Sequence, residues 1–386
     1  MRFLISVAPA ASHLQPVVPI ARELRRRGHA VGVISTPSFR PEVEALGLDS
    51  ISAGLDWLRA EPERFFSEFR AVLPGQSCDW LIAHVYASEM PRRLYPEIIE
   101  LCREWRPDAI LRDQAEFASW LAAERLGIPH ASYGYGLGQL ESELALMRPP
   151  LAALRQELGF APDDQLDTLY RHLRLEFAPA SYLPASARRI PHTHHLRFEP
   201  PDDGGELPES IGRLGAQPLV VVTFGNNYNR IPGLFESIIE ALSDEGVDLV
   251  FAIGRNRRAE EFGALPPNVH VEPYVPLSRL LPRADLLLCH AGFNTIMTAV
   301  ITGTPMVLLP IDSDQPVHAE SCRALGMARV IEKSAGFGAD WRREVRAALA
   351  DPELPHAVAR FREALLALPG APYAANLMES LAADGS

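Results

Sequence analysis

Polarity along the chain follows a repeated pattern: a short apolar block, a turn rich in Gly, Pro, Asn or Asp, then a stretch with helical period. Phe3–Ala8 is the first such block, and it predicts a strand buried on both faces, as in a parallel sheet. Pro9–Ser12 reads as a small-residue loop and Pro16–Arg27 as a helix, with Pro16 and Pro19 in its first turn, where a missing N–H is tolerated. Arg25, Arg26 and Arg27 suit the C-terminal end of the helix dipole, and Gly28 can cap it. The triplet therefore reads as a solvated helix end. Ala30–Ser35 is the next strand, which makes a βαβ unit with parallel pairing and a right-handed crossover. Ala109–Arg112 and Ala131–Tyr135 continue the strands, with a helix over Glu116–Leu126 between them that Gly127 caps. Residues 56–105 look helical but irregular. Residues 136–170, with Gly136, Gly138, Glu141, Glu143 and Pro149-Pro150, read as a lid or acceptor loop.

After Pro200-Pro201-Asp202-Asp203-Gly204-Gly205, which reads as a linker, the same pattern restarts. Strands are expected at Pro218–Phe224, Asp248–Ile253, Val269–Glu272, Asp285–Cys289, Pro305–Pro310 and residues 328–331. Helices are expected at Pro232–Leu242, Thr295–Thr302 and residues 315–325, and helices close the chain. The fold class is α/β, with two Rossmann-like halves. The expected limits are 1–200 for the first domain, 201–217 for the linker, 218–365 for the second domain, and 366–386 for a C-terminal helix packing back on the first.

Composition narrows the function classes. A chain of 386 residues with 47% hydrophobic residues can bury two cores. No run approaches the roughly 20 apolar residues of a membrane span. The formal charge of -12 argues against nucleic acid and against an anionic lipid surface, so an anionic ligand must be held locally. Cys78, Cys102, Cys289 and Cys322 lie far apart and form no CxxC, which suits reduced thiols in a cytoplasmic protein. The start MRFLISVAPAAS imitates a signal peptide, but a regular strand-turn-helix runs through it, so no cleavage is expected. His192, His194 and His195 lack a fourth ligand at a recognisable spacing, so no metal site is expected.

Candidate chemistry sits at strand ends. His13 falls just past the carboxyl end of the first strand, where open α/β sheets place ligands, and Asp113 ends a strand on the same sheet edge. Asp113 could equally cap the helix that follows. In the second half, His290-Ala291-Gly292-Phe293-Asn294-Thr295 turns from a strand into a helix, a geometry that offers N–H groups and a positive dipole end to phosphate. Trp57, Phe65, Phe66, Phe69, Trp80 and Tyr86 supply aromatic surface, and with Tyr135 they are the candidates for an acceptor pocket.

These residues together resemble the GT-B nucleotide-sugar glycosyltransferases of family 1, in particular the bacterial enzymes that glycosylate natural products. The resemblance covers nearly the whole chain and implies two Rossmann-like domains facing a central cleft. Ser12-His13-Leu14-Gln15-Pro16 looks like the family's Gly-His-x-x-Pro element, which implies that His13 is the catalytic base and Asp113 its paired acid. Thr223-Phe224-Gly225-Asn226 resembles the Ser-Phe-Gly-Ser phosphate loop. Tyr274-Val275-Pro276 resembles the Trp-Ala-Pro-Gln step, with Tyr274 stacking on the base and the Val275 backbone bonding its edge. The stretch from His290 through Gly292, Phe293, Asn294 and Thr295 resembles the His-x-Gly-x-x-Thr pyrophosphate motif, and Asp314-Gln315 the sugar-binding Asp-Gln pair. Ser12 and Asn226 depart from the pattern. Thr298 stands where many members carry a Glu that grips the ribose hydroxyls. Thymidine has no 2′-hydroxyl, so Thr298 favours a dTDP-sugar over a UDP-sugar.

The resemblance implies an inverting, metal-independent transfer of a (deoxy)sugar to a bulky apolar aglycone of polyketide or antibiotic type. It implies no cofactor beyond the nucleotide-sugar cosubstrate, and a homodimer is compatible with it. Three other readings stay open. They are a UDP-sugar-dependent transferase of the same fold, a nucleotide-sugar 2-epimerase, and a catalytically silent nucleotide-sugar-binding helper. A Rossmann oxidoreductase fits poorly, because no GxGxxG follows Phe3–Ala8.

Overall fold

A computed structural model describes residues 1–384, apart from 60, 73–75, 201–204, 213 and 333–340. Linker positions 201–204 and 213 therefore lie outside the described residues. The chain divides into two compact units, Met1–Glu199 with Leu368–Ser386, and Pro200–Ala367.

The first unit is built on a seven-stranded sheet of β1 (Arg2–Ser6), β2 (Ala30–Ser35), β3 (Asp49–Ser52), β4 (Ala109–Asp113), β5 (His130–Gly134), β6 (Leu173–Glu176) and β7 (Thr193–His195). Its order is β3-β2-β1-β4-β5-β6-β7, and every pairing is parallel. The chain runs outward from β1 to β3 and then returns to β4 on the other side of β1. The order thus reverses between β1 and β4, which makes the crevice beyond their carboxyl ends the natural ligand position. The register pairs Ser6 with Arg112, so the loop after β1 and the last residue of β4, Asp113, meet at that point.

The second unit repeats the plan with β8 (Leu219–Thr223), β9 (Asp248–Ala252), β10 (Val269–Glu272), β11 (Leu286–Cys289), β12 (Met306–Leu308) and β13 (Ala328–Val330). Its order is β10-β9-β8-β11-β12-β13, again all parallel. Here the reversal falls between β8 and β11. Thr223 pairs with Cys289, so the loop at Gly225 and the turn at His290 leave the sheet side by side. Val220, Val222, Phe224, Phe235, Leu249, Phe251 and Leu288 are fully buried beneath them. Burial at both faces explains why these strands read as unbroken apolar blocks.

Several segments differ from the expected ones. The helix expected at Pro16–Arg27 begins at Val18, after a short helical turn at Ala11–Leu14 and a tighter one at Gln15–Val17, which includes Pro16. Residues 141–157, expected as part of a loop, form a helix that continues through Pro149 and Pro150. Burial of Leu144, Met147, Leu151 and Leu154 on one face offsets the lost main-chain bonds. Arg27 is not merely solvated. It donates to Glu379 at 2.9 Å and to Asn376 at 2.6 Å, and so ties the helix Ala371–Asp384 to the first unit.

Candidate active site

In the first unit, the His13 Nδ1 to Asp113 Oδ2 distance is 2.7 Å. The His13 side chain retains 20% exposure and Asp113 none. The carboxylate is held in a cradle. Oδ2 also accepts the Ala8 N–H at 3.1 Å, Oδ1 accepts the Ala115 N–H at 2.9 Å, and the Tyr135 hydroxyl donates to Oδ1. Burial alone would raise the Asp113 pKa, but the charge of His13 and these donors outweigh it and hold the carboxyl below its usual range. Asp113 therefore pairs with His13 and does not cap the helix Ala118–Leu126, which starts two residues later than the sequence pattern indicated. Asp113 shapes the turn through Ala115, while Glu116 accepts from the Ala118 and Ser119 N–H groups at the helix start.

An ionised carboxylate can only accept, so His13 Nδ1 donates to it, and in the neutral imidazole Nε2 is then the nitrogen with the lone pair. Tyr133 fixes the backbone of this histidine by donating to the His13 carbonyl at 3.0 Å. The sequence held a signal for Tyr133. Two tyrosines two residues apart at the end of β5 share one sheet face beside β4.

The aromatic candidates form a continuous series leading away from His13. Tyr86 stacks with the His13 ring at 6.5 Å, Trp57 meets Tyr86 at 5.5 Å, Phe66 meets Trp57 at 5.6 Å, and Trp80 meets Phe66 at 6.1 Å. Tyr86 comes from a nine-residue π-helical segment, Leu81–Glu89. Such segments are uncommon and recur at functional sites. Trp57 is fully buried. It supports the wall of this patch and presents no contact surface of its own, contrary to the expectation. Tyr135 likewise spends its hydroxyl on Asp113.

In the second unit, the turn after β11 leads into the helix Phe293–Thr302, whose N-cap is Gly292. This helix starts two residues earlier than the sequence pattern indicated. Its ladder begins with the Ile296 N–H bonded to the Gly292 carbonyl at 3.0 Å, so the N–H groups of residues 293–295 belong to the open end of the helix. A Cβ at Gly292 would stand 2.6 Å from His290 Nε2, and one at Gly225 would stand 3.2 Å from His290 Cε1. Both loops thus close around the same imidazole. Burial pushes the His290 pKa down to about 4, against the pull of the Asp314 carboxylate. The ring is neutral at pH 7 and acts as a hydrogen-bonding group, not as a fixed cation.

Around this turn, several expected contact residues shape the site from behind. Thr223 Oγ1 donates to the Ala252 carbonyl at 3.0 Å and accepts the Gly225 N–H at 3.3 Å, which braces the loop. Asn226 Oδ1 accepts the Arg255 N–H at 3.3 Å. Thr298 is buried and donates to the Asn294 carbonyl at 2.7 Å, the back-bonding usual for a threonine inside a helix. Gln315 is only 2% exposed, and its Oε1 accepts the Ile311 and Asp312 N–H groups at 2.8 and 3.2 Å. Asp314 stays partly exposed, with His318 Nε2 at 3.3 Å. The i,i+4 spacing of Asp314 and His318 was a signal for that pair.

Tyr274 follows β10 and is half-buried, with Val275 buried behind it. The guanidinium of Arg255 lies 3.5 Å from the Tyr274 ring centroid, a contact that no motif indicated. Among the described residues, no group of three or more His, Cys, Asp or Glu side chains is arranged to hold a metal ion. No helix among them is long and apolar enough to cross a membrane.

Comparison with known proteins gives a consistent result. Two models of one family match, "Erythromycin biosynthesis protein CIII-like, N-terminal domain" at residues 76–190 and the C-terminal domain at residues 236–381. The chain is 27% identical to oleandomycin glycosyltransferase of Streptomyces antibioticus, over 98% of this chain and 90% of that one. It is 25% identical to 3-alpha-mycarosylerythronolide B desosaminyl transferase of Saccharopolyspora erythraea, over 99% of each. The crystal structure of glycosyltransferase VinC in complex with dTDP superposes with a TM-score of 0.80 at 24% identity, over 100% of both chains.

Proposed function

The chain belongs to the EryCIII-like glycosyltransferases and has their GT-B fold, and for it we propose transfer of a (deoxy)sugar from a dTDP-sugar to a hydroxyl of an apolar natural-product aglycone, with inversion at the anomeric carbon. The observation that carries the reading is the 2.7 Å bond from His13 Nδ1 to Asp113. It leaves Nε2 as the base for the acceptor hydroxyl. Asp113 orients the ring and stabilises the imidazolium as it forms. The acceptor oxygen displaces the nucleotide diphosphate from the face opposite to it, so the configuration inverts.

Negative charge gathers on the departing diphosphate. His290, the N–H groups of residues 292–295 and the helix dipole stabilise it, and the transfer runs without a metal. The Asp314 carboxylate takes sugar hydroxyls, with Gln315 setting the loop that presents it. Tyr274 stacks on the base once the Arg255 side chain yields that face or the base takes the other. The dTDP preference rests on Thr298, which offers no carboxylate to a ribose diol. The dTDP held by VinC supports it.

Incubation with dTDP- and UDP-sugars and a panel of polyketide aglycones, read by mass spectrometry and by NMR of the anomeric proton, tests the proposal. A glycosylated aglycone of inverted configuration, formed from the dTDP donor and in the presence of EDTA, is expected. Donor turnover without acceptor attachment would indicate the 2-epimerase, and no turnover of any donor would indicate a binding protein.

A further inference from the structure

The base dyad is completed by a third side chain. We propose that Tyr135 is a positioning residue for catalysis, whose hydroxyl locks the Asp113 carboxylate so that Oδ2 faces His13 Nδ1. This rests on the reading of His13 and Asp113 as the base dyad.

The argument is one of geometry. Asp113 is fully buried at the end of β4, and a buried carboxylate with one open oxygen could turn about its side-chain bonds. Oδ1 is fixed from two directions, by the Ala115 N–H at 2.9 Å and by the Tyr135 hydroxyl, and this leaves Oδ2 for His13 and the Ala8 N–H. The ring of Tyr135 also lies against the imidazole, with centroids 4.8 Å apart. One side chain therefore touches both members of the dyad.

The loop that carries Tyr135 is itself anchored. Buried Arg174 and Glu176 pair at 2.9 Å on β6. Glu176 Oε1 accepts the Gly136 N–H at 2.5 Å, and Arg174 Nη2 donates to the Gly138 carbonyl at 2.9 Å. A Cβ at Gly134 would stand 2.1 Å from Arg174 Nη2, so only glycine lets the arginine pass under the loop. Tyr135 is thus clamped on both sides.

The charged and titratable groups around Asp113 and its tyrosine neighbours are His13 and Tyr86 from preceding helical segments, Tyr133 and Tyr135 from β5 and its loop, and Arg112 and Glu116 from the strand and turn of Asp113. Burial, and next the Asp113 charge, push the Tyr135 phenol well above its ordinary range, so it remains a donor throughout the working pH. Removing it leaves Asp113 more basic, which stabilises the His13 imidazolium. The acidic limb of the pH profile must then move to higher pH.

The test is Tyr135→Phe in the full chain, with kcat, KM for each substrate and the pH dependence of kcat/KM. We expect kcat to fall at least tenfold, both KM values to stay within about threefold, and the acidic limb to move up in pH. In an Asp113→Asn background the same change should cost less than threefold, because the effect runs through the carboxylate. Site-specific 3-fluorotyrosine at position 135, a stronger donor of nearly the same shape, should move the limb down, and it reports even if the phenylalanine variant folds poorly. A fall in kcat with an unmoved limb, an effect of equal size in the Asp113→Asn background, or unchanged kcat would each overturn the inference. His13→Ala separates the two levels. If it is inactive while Tyr135→Phe matches wild type, only the role of Tyr135 fails, and if His13→Ala is active the dyad reading fails as well.

Discussion

Gly292→Ala isolates the contribution of His290 to donor binding, because the backbone itself accepts alanine. Gly292 has φ −70° and ψ 136°, an ordinary extended conformation for any L-residue. As an N-cap, alanine in place of glycine costs from a few tenths to about 1 kcal/mol. The new methyl, however, would stand 2.6 Å from His290 Nε2, where ordinary contact starts at 3.4 Å. The imidazole must withdraw from the turn, and its hydrogen bond to the diphosphate goes with it. A hydrogen bond to a charged group contributes about 1.5–3 kcal/mol, which is roughly 10–150-fold in Kd. Calorimetric titration of dTDP into wild type and variant measures this directly, alongside a melting curve that should shift little. In a His290→Ala background the glycine substitution should add almost nothing. A variant that is folded and binds dTDP within threefold of wild type would refute the placement of the diphosphate beside His290.

Other substitutions probe other parts of the account. Thr298→Glu replaces the back-bonded hydroxyl with a carboxylate able to reach a cis-diol, and should raise the ratio of UDP to dTDP affinity in thermal-shift titrations; an unchanged ratio would remove the basis for the nucleotide preference. Arg174→Ala leaves Glu176 buried without its partner and should destabilise the chain by about 3–5 kcal/mol in urea unfolding. His130 is buried, and burial pushes its pKa down to about 4, opposed by Glu124. As pH falls from 6.5 towards 4, the unfolded state takes a proton that the native state refuses, so stability declines, by a ceiling on the order of 3 kcal/mol. His130→Gln should flatten the decline in the urea midpoint over that window.

Much of this was legible in the sequence because strands buried on both faces leave unbroken apolar blocks, and their loops carry the chemistry. Ala30–Ser35 and Val269–Glu272 are observed within the expected limits, and other expected strands shift by a residue or more at their ends, where pattern is weakest. His13 and Asp113 stood out as candidates at strand ends, their pairing was implied by the family resemblance, and the structure adds that both lie at the reversal of strand order. The helix over 141–157 was hidden because local proline chemistry spoke against it, while its buried face acts only through tertiary packing. The backing roles of Thr223, Thr298 and Gln315 were hidden for a related reason. A motif marks which positions surround a ligand, but not which hydroxyl or amide is already spent on a neighbouring carbonyl or N–H. Arg255 and the bond from Tyr135 to Asp113 join segments distant in sequence or in different loops, and no local pattern announces them.

The most direct test of the central claim is single-turnover transfer by His13→Ala against wild type, with dTDP affinity measured on the same samples. General-base catalysis contributes about 10²–10⁴-fold. The account predicts a loss of that order in the rate of glycoside formation, with the dTDP Kd unchanged. Transfer at the wild-type rate by His13→Ala would contradict it.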